Sequence, residues 1–477
     1  MELAIRRTLN GNRLLIIALV VIELVVFAAI LTVSQWDLFL LAIALGGALS
    51  IYLFSLYPQL LFLPIFATTS LDITGRLLNL GPMLSLTTFH LAFGAIAVFS
   101  MVNFFLRRRH LFPRVEVTWP LILFISIMSI SLFYTPNFEV AAIDLIRMLF
   151  LALLLFLTVF LVENKWTLGL VLFSVIACAV ATSGMGLYQV ATQQHFLPSN
   201  LIRDLGARTF RAAATYYNPN LLGQSLMAGG LLALALLINL RMSWTKRIFL
   251  LLSTGVLFSG LAATFSRSSW LAAAVGVFLV FLWSRKLKYI VAFGVICAAL
   301  LLISHRYVPF VEVVYTRVKS IFGLVTQFDS IAHTSGSARV FLVIGAFWIF
   351  LEHPLWGIGY RGFPVLFEKY SPQEFANWLE VTESHTLPAT ILAELGLIGF
   401  TFAAWAVWVV LREGVRAIRE IQDDYLRAAE IGMVAVFVGF LICFLFSGDS
   451  HNNFFWILTG MIFAVKRMAE KDLSPTP

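Results

Sequence analysis

Charge is scarce in this 477-residue chain: Asp, Glu, Lys and Arg together make up 12% of it. A soluble domain carries about 25%, so the composition excludes a soluble enzyme and a charge-rich disordered chain. Cysteine is scarcer still. Cys178, Cys297 and Cys443 each sit alone inside an apolar run, which excludes a disulfide framework, a zinc site of thiolates and a paired redox motif. Internal repeats and low-complexity tracts are also absent, which excludes a fibrous or solenoid architecture. What fills the chain instead is apolar side chain, 60% of all residues, with a mean hydropathy of +0.92. That balance belongs to a polytopic membrane protein.

The net charge is +8. In a soluble protein this excess would point to nucleic acid. Here it is read as Lys and Arg retained on cytoplasmic loops, and no nucleic-acid partner is expected.

A bilayer core takes about 20 apolar residues as a helix. By that rule spans are expected near 14–33, 38–56, 59–71, 84–106, 119–135, 140–162 and 167–190. Others are expected near 219–240, 248–265, 268–284, 289–304, 388–411, 431–447 and 453–466. The runs at 59–71 and 453–466 are short, so the expected architecture is an all-α bundle of about 12–14 transmembrane helices forming a single domain over 1–477. The first run follows Arg6, Arg7 and Arg13 and is too long for a signal-peptide core. It reads as a retained span with the N-terminus in the cytoplasm. An even count returns the C-terminus there as well. Most of the Lys and Arg then fall inside, including Arg107–Arg109, Lys165, Arg247, Lys286, Arg412, Arg416 and Lys466.

The outer side carries two larger loops, Gln193 to Asn218 and 305–387. Within the second, Val340–Leu351 is apolar, but as a helix it reaches only ~18 Å. An interfacial or re-entrant helix is expected there.

A few polar residues do not fit a bland bundle. Arg267 interrupts apolar sequence running from Ile248 to Trp283. One helix of that length would be ~54 Å, so the chain must turn near Arg267 and leave a guanidinium at the outer membrane face. Such an arginine needs an anion or a cavity; lipid phosphate or a carboxylate would also serve. Asn218-Pro219-Asn220 has the form of an N-cap followed by a first-turn proline. A helix start suits a phosphate, and Arg211 lies just upstream with Arg203 and Arg208. The alternative is a plain start of a span with solvated loop charges. His385, in Glu380-Val-Thr-Glu383-Ser-His385-Thr386, precedes the next span. A neutral imidazole there can take a proton from a hydroxyl, or it can be a surface or capping histidine. Glu380, Glu383 and His385 offer metal-ligand chemistry, but the outer side lacks an Asp-x-Asp pair, so no metal is expected.

Weaker candidates complete the set. Arg339 precedes the interfacial helix and meets an anion or water. Gly357-Ile-Gly359-Tyr-Arg361-Gly362 is a glycine-rich turn without the lysine of a nucleotide loop. Asp144 and Arg147 are three apart and can neutralise each other on one helix face. His451 and Asn452 lie between the last two spans as a second histidine candidate. Glu23 and His90 read as paired packing residues within spans.

Four stretches, in order and at suitable spacing, resemble the O-antigen ligase and O-antigen polymerase family of bacterial membrane glycosyltransferases. They are Arg211…Thr215…Asn218-Pro-Asn220, then Thr264-Phe-Ser266-Arg267, then Ser337-Ala-Arg339…Glu352-His-Pro-Leu-Trp-Gly357-Ile-Gly359, and His385…Glu394-Leu-Gly396-Leu-Ile-Gly399. The resemblance covers about 205–400. The chain departs from the family where Ala214 replaces a frequent glycine and Thr386 a frequent asparagine.

The resemblance implies transfer of a glycan from a polyprenyl-diphosphate carrier to an acceptor hydroxyl at the outer face of the bacterial cytoplasmic membrane. The acceptor is another glycan, a lipid A–core or a protein side chain, and no cofactor is implied. Arg211 and Arg267 are then expected to clamp the diphosphate, with His385 as general base and inversion at the sugar. Arg339, Asn218, Asn220, Arg361 and Glu383 are the expected substrate-binding residues. A competing reading is a secondary transporter of an anion such as bicarbonate. That architecture places charges near the midplane of two related halves, and no second half is legible here. A non-catalytic scaffold or export partner is the third reading.

Overall fold

The computed structural model describes residues 115–194, 210–216, 218–290, 335–370, 385–447 and 452–473, with short pieces at 60, 76–79, 85–87 and 94. Four expected spans (14–33, 38–56, 59–71 and 289–304) lie wholly or almost wholly outside the described residues. So do Arg203, Arg208, Glu380, Glu383 and His451, and the side chain of Arg339.

Helix is the rule among the described residues. The exception is a short antiparallel hairpin, β1 (Arg76–Asn79) with β2 (Ser85–Thr87). This corrects the expected span near 84–106: residues 85–87 spend their backbone bonds on a neighbouring strand, so a helix there starts no earlier than 88.

Eleven helices follow in chain order among the described residues. They are α1 (Thr118–Ser131), α2 (Phe138–Leu161), α3 (Lys165–Thr192) and α4 (Pro219–Asn239). Next come α5 (Trp244–Ala263), α6 (Arg267–Trp283), α7 (Ser335–Glu352) and α8 (Phe363–Tyr370). The chain closes with α9 (Leu387–Glu420), α10 (Asp424–Phe444) and α11 (Asn453–Leu473). Six of them, α2, α3, α4, α5, α9 and α10, are long and apolar enough to cross a membrane. The polytopic all-α architecture is therefore as the composition requires.

Several boundaries follow from local chemistry. The Asn164 side chain accepts the Thr167 N–H at the start of α3, Asn218 accepts the Asn220 N–H at the start of α4, and Asp423 accepts the Leu426 N–H at the start of α10. Each satisfies one of the orphan donors of a helix start. Pro219 supplies the first-turn proline. The long apolar run from Ile248 to Trp283 breaks where its length demanded: α5 ends at Ala263 and α6 begins at Arg267.

α4 and α10 form the centre of the described bundle, with 78% of each apolar window buried against 33% for α5 and α9. α4 packs on α3, α5, α6 and α10; α10 also meets α9 and α11. Small residues set the spacing, as membrane helices without a hydrophobic drive between them require. A Cβ on Gly223 of α4 would stand 2.6 Å from the Ser269 hydroxyl of α6. One on Gly439 of α10 would meet the Met227 sulfur of α4 at 2.6 Å.

At the other end of the bundle the helices are fastened by charge. Lys466 of α11 pairs with Glu413 of α9 at 2.7 Å and also with Glu116. Arg247, Lys288 and Arg412, all on the expected inner side, lie over the rings of Trp244, Tyr289 and Trp408.

α7 differs from expectation in extent. It runs from 335, not 340, and packs on α8 and α9. Leu342, Ala346 and Ile349 join Phe363, Phe367 and Ala393 in a second small core. Packing against other helices, not an interface with lipid alone, stabilises it.

Candidate active site

Two tight turns lie back to back. The first, residues 211–216, leads into α4. The second, Thr264 to Ser266, joins α5 to α6. The Ala212 N–H donates to the Ala263 carbonyl at 3.0 Å. The Arg211 guanidinium donates through Nε to the Thr264 carbonyl at 2.9 Å and through Nη2 to Asn220 Oδ1 at 3.0 Å. Asn220 is itself set by the Asn218 cap. Arg211 is thus held by the start of α4 and by the turn that carries Arg267, and both arginines are half-buried.

The second turn is fixed from several sides. Thr264 Oγ1 accepts the Ser266 N–H at 3.2 Å, and the Ser266 and Ser269 hydroxyls share a bond of 2.9 Å. The Trp270 indole donates to the Leu261 carbonyl at 2.9 Å, tying α6 back to α5. Arg267 therefore opens a helix whose first turn is rigid.

His385 is reached through α10. Ser269 of α6 stands beside the Cys443 thiol of α10. Two residues on, the Leu445 carbonyl accepts the Thr386 hydroxyl at 3.2 Å. Thr386 is the N-cap of α9 and the neighbour of His385. Asn452, at the start of α11, donates to Gln224 of α4 at 2.7 Å, one turn below Asn220. The starts of α4, α6, α9 and α11 and the end of α10 therefore share one end of the bundle.

Backbone strain marks the same places. Ala214, Phe265, His385 and Arg361 are four of six non-glycine residues with positive φ among the described residues. Each such residue costs about 1–3 kcal/mol and persists only when its surroundings impose it.

Among the described residues, no hydrogen bond or ion pair of this kind brings Arg361 into that cluster. Arg361 belongs to a separate network. Its Nε donates to Asp144 Oδ2 at 2.5 Å, the Tyr360 hydroxyl donates to the same oxygen at 2.6 Å, and Arg147 approaches Oδ1 at 3.5 Å. The expected Asp144–Arg147 pair is present, but Arg361 shares its carboxylate. Burial pushes the Tyr360 hydroxyl well above its usual pKa, with the Asp144 charge adding to it. For Arg361 burial works the other way, and the Asp144 carboxylate overcomes it, so the guanidinium stays protonated.

The glycine-rich turn explains this network. Ile358 and Gly359 donate to the Ala393 and Glu394 carbonyls, while Leu397 and Ile398 donate to Pro354 and Leu355. The turn thus pairs, strand-like, with a break in α9 at Gly396, where φ is 65° and ψ −165°. Backbone groups freed inside a membrane must find partners, and here the turn supplies them. The Glu394 carboxylate accepts the Phe363 N–H at 3.2 Å. Below lies a cavity of about 160 Å³ lined mainly by apolar side chains of α1, α2, α9, α10 and α11.

Gln189 and Gln224 escaped the sequence reading, as did the joining of Asp144, Tyr360, Arg361 and Glu394 in one network. The legible signal was a polar side chain in an otherwise apolar span, which in lipid demands a partner. No group of three or more His, Cys, Asp or Glu suited to a metal occurs among the described residues.

Comparison with curated proteins finds no match. A family model does match: O-antigen ligase, over residues 252–404. That stretch takes in the turn of Arg267, α6 to α8, His385 and the break in α9. Over this segment the chain is similar to the O-antigen ligase family of glycan-transferring membrane enzymes.

Proposed function

We propose that the protein transfers a glycan from a polyprenyl-diphosphate carrier to an acceptor hydroxyl at the outer face of the bacterial cytoplasmic membrane. The observation that carries this reading is the cross-link between the two arginine-bearing turns: Ala212 to Ala263 and Arg211 to Thr264. A leaving diphosphate gathers negative charge as the sugar–oxygen bond breaks. Fixed cations that need no rearrangement stabilise that charge best, and arginine offers bidentate contact to phosphate oxygens. In this reading Arg211 and Arg267 hold the diphosphate and its charge, without a metal.

His385 accepts the proton of the acceptor hydroxyl, which then attacks the anomeric carbon from the face opposite the diphosphate, with inversion. Asn218 and Asn220 set the start of α4 beside the phosphates. Arg339 and Glu383 are proposed to contact the glycan or its carrier from the outer loop. Arg361, once expected beside them, fits a supporting role better because Asp144 already matches its charge. The N- and C-termini lie in the cytoplasm in this reading. The region 205–400, with outer loop 305–387, is its catalytic part.

The test is glycan transfer by purified protein in detergent or nanodiscs, from a polyprenyl-diphosphate donor. His385→Ala is expected to lower the rate about 10²–10⁴-fold, the usual worth of a general base, and EDTA to leave wild-type transfer unchanged. Wild-type rates in His385→Ala remove the general base. A strict need for a divalent cation moves the chemistry to a metal. Solute uptake by proteoliposomes with no transfer replaces the reading with an anion transporter.

A further inference from the structure

We propose that Gln189 is a positioning residue for the diphosphate clamp, acting through the turn that carries Arg211. The inference rests on the transfer reading above.

Gln189 lies in the last turn of α3, in an apolar span, and is wholly buried. A buried primary amide must be bonded, and Gln189 spends its bonds on one short segment. Oε1 accepts the Ala213 N–H at 3.1 Å and the Ala214 N–H at 2.8 Å; Nε2 donates to the Ala214 carbonyl at 3.1 Å. One side chain thus satisfies three successive backbone groups. The segment is one that L-residues avoid, since Ala214 has φ of 50°.

The same face of α3 is cut back to let the turn approach. Gly186 lies one helical turn before Gln189, and a Cβ there would come within 3.2 Å of the Ala212 methyl. On the opposite side of the turn, Ala212 and Arg211 reach the carbonyls that precede Arg267. Gln189 therefore anchors the end of a relay from α3 through the strained turn to both arginine-bearing segments. It touches no substrate atom in this proposal. Its work is to hold the left-handed turn, so that the Arg211 guanidinium meets the diphosphate without first reorganising.

The experiment measures binding of a polyprenyl diphosphate to the full chain in nanodiscs, together with donor and acceptor KM and kcat. Gln189→Leu is expected to weaken diphosphate binding and raise donor KM by about 10-fold, in the range for stranding buried polar groups. Acceptor KM stays within about twofold. Placing glycine at the strained position is the discriminating step. In an Ala214→Gly background the turn no longer resists its φ, so Gln189→Leu costs only about threefold there. A general packing role for α3 predicts the same loss in both backgrounds and no split between donor and acceptor.

Should Gln189→Leu not yield folded protein, Gln189→Asn decides. It keeps a neutral amide but is one methylene shorter, so it cannot make all three bonds to the turn, and an effect of about threefold on donor binding is expected. If Arg211→Ala abolishes diphosphate binding while folded Gln189 variants bind as wild type does, the positioning role is wrong and the transfer reading stands. If the wild type binds no polyprenyl diphosphate, both fall together.

Discussion

Arg211 and Arg361 are both half-buried arginines on strained turns beside helix breaks, yet they are held in opposite ways. Arg361 faces the Asp144 carboxylate at 2.5 Å. Arg211 donates to neutral oxygens, a carbonyl of Thr264 and the amide of Asn220. A carboxylate cancels the charge it holds, so the first arrangement fastens the outer turn to α2. Neutral acceptors fix the direction of a guanidinium, and here they tie the start of α4 to the turn before Arg267. The same residue type thus serves fastening in one region and, in the proposed function, catalysis in the other.

Breaking each region should separate stability from activity. The largest effect is expected for Arg211→Ala and Arg267→Ala. Loss of a preorganised charge contact costs about 10²–10³-fold in kcat, measured as glycan transfer per folded molecule. Arg211→Lys should not restore it, because a point charge cannot make both bonds.

Asp144→Ala comes next and should act on stability. Removing one partner of a buried ion pair costs about 3–5 kcal/mol, seen as a lower thermal midpoint in detergent. Transfer per surviving folded molecule should remain near wild type. A double change, Asp144→Ala with Arg361→Met, should recover much of the midpoint because the more buried guanidinium is no longer stranded; the more exposed Arg147 keeps its charge. If Asp144→Ala instead lowered transfer without touching stability, the contrast between the two arginines would collapse.

Gly396→Ala sharpens the fastening side further. A Cβ there would lie 2.3 Å from the Leu355 carbonyl oxygen, at a φ of 65°. A loss of about 2 kcal/mol or more in unfolding free energy is expected, with the turn at 354–359 losing protection from amide exchange.

The smallest effect belongs to Asp423, an exposed cap far from either arginine. Burial opposes its ionisation, but the Lys165 hydrogen bond and the Leu426 N–H outweigh burial and hold its pKa below the usual carboxylate value. A carboxyl lowered in the folded state contributes stability above its unfolded pKa, near 3.9, and loses it as pH falls through the folded value. Lys165 is 49% and Asp423 35% exposed, so solvent screens the pair and the contribution is about 1 kcal/mol or less. Asp423→Asn, which keeps the cap, should remove the acid dependence while changing the midpoint at neutral pH little.

How much was legible beforehand divides along a physical line. The break between α5 and α6 was forced by length alone, because ~54 Å of apolar helix has no bilayer to fit. Asn218-Pro219 announced a helix start because capping is a contact over two residues. The Asp144–Arg147 pair was legible for the same reason, at a spacing of one helical turn. The bond of Arg361 to Asp144 was not legible because the two lie 217 residues apart. Gln189 went unread because its ligands are backbone groups of a distant turn, and backbone groups have no sequence signature.

By itself, the order of residues determined the polytopic helical architecture, the break between α5 and α6 and the start of α4. Those properties depend on the length of apolar runs and on contacts within a turn of helix. Only the tertiary structure decided that Arg361 shares the Asp144 carboxylate with Arg147, and that two turns some fifty residues apart share hydrogen bonds. Such choices are made by groups that meet only after helices pack, and packing distances are written in small residues whose partners the sequence does not name.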